Sequence, residues 1–252
     1  MRLVRHTALA AAFLLGACGD ESADLGSDDR GAGVGGLGGS ARVDTLARTP
    51  LATRPSGEVS WIADEVRLDP SDAIQHSHEL AFAYARGGSQ TLRAGGVEQA
   101  IPEGGGVAVP AGSRHRHASG ERGAVLWEIR LARPGSPSAA GMTHASRLFE
   151  SEPLEGIPVQ AEASLLSVSV PPRGGRTTVH THPGPELIYQ LSGLIEYQNT
   201  LIGTKRLGPG GLEGIPPGTA VQKRNPFSRR AVFLSWFLVD PHRPFAPKAR
   251  FP

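Results

Sequence analysis

His180-Thr181-His182-Pro183-Gly184-Pro185-Glu186 begins six residues after Gly174 and ends seven before Gly193. Side chains on a strand alternate with period two, so imidazoles one residue apart point to the same side. Glu186 returns across a Pro-Gly-Pro turn and can close on the same point. Two neutral imidazoles and a carboxylate suit Zn, Fe, Mn, Ni or Cu. The stretch reads as a metal site at the mouth of a β-structure.

Around it the chain repeats itself. Gly104-Gly105-Gly106-Val107-Ala108-Val109-Pro110-Ala111-Gly112 recurs as Gly210-Gly211-Leu212-Glu213-Gly214-Ile215-Pro216-Pro217-Gly218, a shift of 106, and His76-Ser77-His78 recurs as His180-Thr181-His182, a shift of 104. Related elements in the same order at near-constant spacing imply two copies of one small fold. The copies span residues 57–133 and 150–240, separated by a Pro- and Ser-rich connector over 134–149 and followed by a Pro-rich tail over 241–252. Ala124-Val125-Leu126-Trp127-Glu128-Ile129-Arg130-Leu131 and the run from Ala231 to Val239 occupy the last-strand position of each copy. With 33 Gly and 21 Pro in 252 residues, the composition favours many short strands joined by turns, as in a sandwich or jelly-roll barrel.

The net charge of +2 reflects a small excess of arginine. No Lys/Arg stripe is interleaved with aromatics, which argues against nucleic-acid binding. At the start, Arg2 and Arg5 precede a short apolar run and Leu15-Gly16-Ala17-Cys18. That pattern describes a secretory signal over 1–17, too short for an ordinary membrane span. It also resembles a bacterial lipobox, which implies that Cys18 is lipid-modified and holds the protein to a membrane by that anchor alone, in the periplasm or outer cell envelope. Cys18 is the single cysteine, so no internal disulfide can form. Residues 18–56 read as the lipobox cysteine and a tether; Gly, Ser and Asp dominate up to about Arg42, and the remainder is either linker or an arm packed on the body.

The two copies resemble the cupin superfamily, specifically a two-domain bicupin. The first cupin motif, G-x5-H-x-H-x3–4-E-x6-G, is met in copy two by Gly174, His180, His182, Glu186 and Gly193. The second, G-x5-P-x-G-x2-H-x3-N, is met in copy one by Gly104, Pro110, Gly112 and His115, with Ser119 in place of the asparagine. Copy two supplies Gly210, Pro216, Gly218 and Asn225, but Val221 stands at the histidine position. The resemblance implies an all-β chain of two tandem double-stranded β-helix barrels, each able to hold a divalent metal.

On that resemblance His180, His182 and Glu186 are a three-ligand set in copy two, with Gln222 beside the missing ligand but at the wrong parity for a regular strand. In copy one His76, His78 and His115 match ligand positions, and His117 shares their parity. Counting back from Gly87 puts Leu80 in the carboxylate slot, so Glu79 serves as a ligand only if a β-bulge shifts it. Phe82, Tyr84, Trp127, Tyr189, Tyr197 and Trp236 are read as core or dimer contacts, the latter in a homo-oligomer. Lys205-Arg206 and Lys223-Arg224 are read as solvated turns, and Glu196 and Glu213 as the nearest candidates for a general base. Two functions follow: a metal-dependent enzyme with dioxygenase- or isomerase-like chemistry on a small organic substrate, or a non-catalytic metal- or small-ligand-binding module of the cell envelope.

Overall fold

A computed structural model describes residues 37–138 and 145–252, which contain eighteen β-strands and no helix. The lipobox and Cys18 lie outside the described residues. In chain order the strands begin with β1 (Arg42–Pro50), ahead of the first copy, which runs β2 (Ser60–Leu68), β3 (Ala73–His76), β4 (Ala81–Gly87), β5 (Gln90–Ala94), β6 (Val97–Ile101), β7 (Gly106–Val109), β8 (His115–Ser119) and β9 (Ala124–Ala132). The second copy runs β10 (Ala145–Glu150), β11 (Glu162–Val170), β12 (Gly175–Arg176), β13 (Glu186–Ser192), β14 (Ile195–Asn199), β15 (Gly203–Leu207), β16 (Leu212–Ile215), β17 (Val221–Asn225) and β18 (Ala231–Val239).

Each copy folds into two facing sheets. The first pairs β10-β2-β9-β4-β7 with β3-β8-β5-β6, and the second pairs β1-β11-β18-β13-β16 with β12-β17-β14-β15. Strand for strand the orders superpose, giving two tandem double-stranded β-helix barrels, both within one compact unit. The outermost strands are exchanged. β1 precedes the first barrel yet pairs with β11 of the second, and β10 precedes the second barrel yet pairs with β2 of the first. Residues 42–50 are therefore a strand rather than tether, Leu37 is already buried in the second barrel's core, and residues 145–150 of the connector belong to the first barrel's sheet. Alternating residues on these arms, such as Ala47 and Phe149, pack on apolar surface, and that burial offsets the entropy of ordering them.

The five-stranded sheets pack their outer faces together. Trp61, Phe82, Trp127 and Ile129 from the first barrel meet Leu165, Leu187, Leu234 and Trp236 from the second in a single core. Phe149 stacks on Trp236 at 5.5 Å between ring centroids, and Trp127 meets Tyr189 edge-on at 5.0 Å. Each large side chain so buried contributes about 1.5–3 kcal/mol. This packing explains why β9 and β18 read as nearly continuous apolar runs: one face lines a barrel and the other lines the shared core. Tyr197 instead faces the interior of the second barrel.

The interiors differ. Ala81, Ala83, Ala85 and Leu126 line the first barrel. Ile188, Tyr197, Phe233 and Phe237 line the second, together with Phe245 from the C-terminal tail. The tail is held across the second barrel's mouth, where Thr181 donates to Pro247 O at 3.0 Å and Ala249 donates to Val179 O at 2.9 Å.

Candidate metal centres

In the first barrel, His76 ends β3 and His115 begins β8 as direct ladder partners, which brings their rings together. His117 lies two residues along β8 and faces the same way. His78 follows β3 in the turn. Glu128 enters from β9, in register with Ala83 of β4 and Asp64 of β2. One donor atom from each of His76, His115, His117 and Glu128 lies within 4.8 Å of the others. The Nε2 atoms of His76, His117 and His78 are 2.6, 3.5 and 3.9 Å from Glu128 Oε1, and His115 Nε2 is 3.1 Å from His76 Nε2.

The tautomers suit a cation. His78 Nδ1 lies 2.6 Å from Glu79 O and His115 Nδ1 2.8 Å from Ser113 O. A carbonyl only accepts, so each Nδ1 carries the proton and each Nε2 offers a lone pair to the interior. Among the described residues, His78 Nε2 and both ring nitrogens of His117 have no hydrogen-bond partner. Buried polar atoms are rarely left so, and a bound cation is one way to satisfy them. Burial pushes His78 down to about 4 and His117 down to about 3, with Glu128 opposing, so both rings are neutral ligands near neutral pH. Burial alone would raise Glu128, but the hydrogen bond and charge of His76, with His117 and His78, hold it below the usual carboxylate range. The set of imidazoles and one carboxylate fits a first-row divalent metal. One further charge stands nearby: Arg130, two residues beyond Glu128 on the same face, forms a buried pair with Asp64 at 2.9 Å.

Leu80 and the two candidate bases are corrected here, whereas Glu79 and Gln222 point away as their parity predicts. Glu79 is half exposed, reaches only Arg130 at 3.5 Å and is not among the donors, because no bulge turns it inward. Neither is Leu80 in the carboxylate slot; it packs in the core between the barrels. The register pairs Ala81 with Val109 and Arg130, as Glu186 pairs with Ile215 and Phe237, so Ala81 takes that slot. The turn glycine equivalent to Gly193 is Gly88 (φ +70° and +68°), where an added Cβ would strike the backbone of the facing loop. Gln222 points away from the site and donates to Thr177 O at 2.9 Å. Of the candidate bases, Glu213 is tied to Lys205, and Glu196 faces outward, its neighbour Tyr197 facing in. Sequence reasoning missed Glu128, which lay within a run read only as a strand.

In the second barrel, donor atoms of His180, His182 and Glu186 lie within 4.8 Å of one another, all three buried. The Pro-Gly-Pro turn delivers Glu186 because Gly184 passes against β18 so closely that a Cβ there would meet Leu238 O at 1.8 Å. His180 Nδ1 faces Thr178 O and His182 Nδ1 faces Phe245 O, each at 2.8 Å, so both Nε2 lone pairs again point inward. Burial pushes His180 down to about 3 and His182 down to about 4.

Lys223 changes this site. It is a fully buried strand residue on β17, not part of a solvated turn, and its Nζ lies 2.9 and 3.1 Å from the two oxygens of Glu186. Ser235 Oγ donates to Glu186 Oε1 at 2.5 Å. Burial would raise Glu186, yet Lys223 and the two histidines bring it down to about 2. Two unit charges 4 Å apart interact by about 4 kcal/mol at an effective dielectric near 20, and doubling one charge doubles the energy. A divalent ion beside Glu186 would therefore be opposed by an ammonium already in place.

No protein-family profile and no curated protein matches this chain. Solved structures do. Bacillus subtilis oxalate decarboxylase, studied for its Mn(II) centres, is 21% identical over 82% of this chain and 74% of that one, with a TM-score of 0.54. Lactobacillus farciminis oxalate decarboxylase, solved as a formate complex, is 14% identical over 79% of this chain and 87% of that one, with a TM-score of 0.55. AerE from Microcystis aeruginosa is 12% identical over 78% of this chain and 99% of its own, with a TM-score of 0.52. At these identities the likeness establishes the shared two-barrel fold.

Proposed function

We propose that this protein is a metal-dependent bicupin whose first barrel holds one divalent cation through His76, His115, His117 and Glu128, with His78 alongside, and acts there on a small organic molecule. The observation that carries this reading is the convergence of three imidazoles and one carboxylate, with the His78 ring alongside, and with buried ring nitrogens left unpartnered. A Mn(II)-containing oxalate decarboxylase among the structures of like fold agrees with it. A bound cation would supply Lewis-acid polarisation of a substrate oxygen or, if redox-active, dioxygen chemistry. The chain's own part is to hold the ligands by their Nδ1 contacts, to keep the imidazoles neutral through burial, and to set the Arg130 guanidinium beside the site. Export and anchoring through Cys18 complete the proposal; they rest on the Leu15-Gly16-Ala17-Cys18 pattern.

A second reading, a binding module without turnover, is favoured by the same donor set: three imidazoles and a carboxylate, with the His78 ring alongside, take up much of the coordination sphere of a first-row ion. Elemental analysis of the full-length chain tests the first point. About one equivalent of metal is expected, and its retention in His115→Ala/Glu128→Gln would sink the assignment. Screening small carboxylic acids and sugars for metal-dependent turnover separates enzyme from binder. Loss of membrane association in Cys18→Ser tests the anchor.

A further inference from the structure

The ladder registers place the two barrels residue against residue. His117 pairs with Leu92 of β5, and Lys223 pairs with Tyr197 of β14. His115 faces His76, and Val221 forms a bridge with His180. Glu128 pairs with Ala83, and Ser235 pairs with Ile188. Four positions that carry His115, His117, Glu128 and Ala81 in the first barrel thus carry Val221, Lys223, Ser235 and Glu186 in the second.

We infer that the Lys223 ammonium stands in the second barrel where the first leaves room for a metal ion, so that the second barrel carries its own cation and binds no divalent metal. The ammonium meets both oxygens of Glu186, and Ser235 takes a further lone pair of Oε1. The carboxylate is thereby neutralised and its acceptor capacity largely used. The lysine nitrogen is held on a covalent tether at a position with no exposed surface. Aromatic rings pack on one of the donors: the His182 ring lies 4.7 Å from Phe237 and 4.9 Å from Phe245, whose carbonyl holds its Nδ1. The donors His180 Nε2 and His182 Nε2 remain without hydrogen-bond partners among the described residues, so ligands are present and the ammonium on Glu186 is what opposes an ion. The second barrel is then the metal-independent half of the molecule, and only the expected total of one metal per chain rests on the reading of the first barrel.

The test is metal stoichiometry. The full-length chain is loaded with Mn(II) or Zn(II), freed of excess and analysed for metal, with thermal melts run with and without EDTA. Wild type and His180→Ala/His182→Ala are expected to hold the same single equivalent. Lys223→His, which removes the ammonium and leaves Glu186 free, is expected to hold one equivalent more than wild type and to gain an EDTA-sensitive rise in melting temperature. The added equivalent should vanish when His180→Ala/His182→Ala is combined with it. Two equivalents in wild type, loss of the wild-type metal in His180→Ala/His182→Ala, or a folded Lys223→His with no added metal would each overturn the inference. Should Lys223→His fail to fold, the comparison of wild type with His180→Ala/His182→Ala decides. A wild type without metal, beside a Lys223→His variant with one equivalent, would remove the first-barrel reading and keep this one.

Discussion

The two barrels share strand order, register and turn glycines, yet one interior is small-lined and polar and the other is packed and carries its own cation. In the first, alanines at 81, 83 and 85 line the barrel that holds the histidines, and the carboxylate comes from β9. In the second, the carboxylate comes from β13, a lysine neutralises it, and Phe237 and Phe245 close over the site. The difference teaches that a barrel fixes positions facing its axis and not the chemistry at them. A carboxylate can move between neighbouring strands and still reach the same point, and the residue opposite decides whether a cation is needed. A copy that matches the first sequence motif completely therefore holds the less open site.

Acid should break both barrels, and metal should protect only one. Burial lowers His78 and His182 to about 4 and His117 and His180 to about 3, from 6.5 for an ordinary histidine. The unfolded chain then binds more protons than the folded one across that window, so stability present above about 6.5 drains as pH falls towards 3 to 4. Glu186, held at about 2, adds a term of the same sign that is present above 4.5 and lost towards 2. Metal-free protein should unfold in this window by circular dichroism, and added Mn(II) or Zn(II) should lower the midpoint in wild type but not in His115→Ala/Glu128→Gln. A midpoint indifferent to metal would undo the distinction between the barrels.

Glu186→Gln should cost about 3–5 kcal/mol in urea unfolding, because it leaves the Lys223 charge buried and unpaired. Adding Lys223→Met should recover most of that loss, as removal of both charges leaves nothing uncompensated. If Glu186→Gln unfolds like wild type, the ion pair does not hold the second barrel. Next comes metal affinity. Glu128→Ala should weaken it at least about 100-fold by competition with a chelator, since even partners one step removed from a metal give 10- to 100-fold effects. The smallest effect belongs to Ser235→Ala, at the position equivalent to Glu128: about 1.5 kcal/mol of stability for the lost hydrogen bond to a carboxylate, with metal content unchanged.

Much of this was legible in the residues. Alternation on short strands, the doubled motifs and the Gly/Pro turns pointed to two β-barrels, and parity put His76, His78, His115 and His117 on one side of their strands. Three features escaped. Glu128 sits in an apolar run whose hydrophobic residues serve two cores, so its parity with Arg130 was the only available signal. Lys223 shares parity with Val221 and could have been noticed by the same rule that dismissed Gln222, but two adjacent basic residues look like surface. The carboxylate slot of the first copy shifts by one residue because Gly87 and Gly88 offer two adjacent starting points, and it is Gly88 that has the turn conformation of Gly193; the bulges at Ala85/Gly87 and Gln190/Ser192 fall at matching positions.

By itself the sequence determined the strand periodicity, the repeat and the identity of the imidazoles, because these depend on spacing along the chain. Only the tertiary structure decided which carboxylate joins which histidines, that a lysine occupies the second site, and that the arms β1 and β10 are exchanged between barrels. Those outcomes depend on register between strands far apart in the chain, set by the packing of both sheet faces at once, and local spacing carries no record of it.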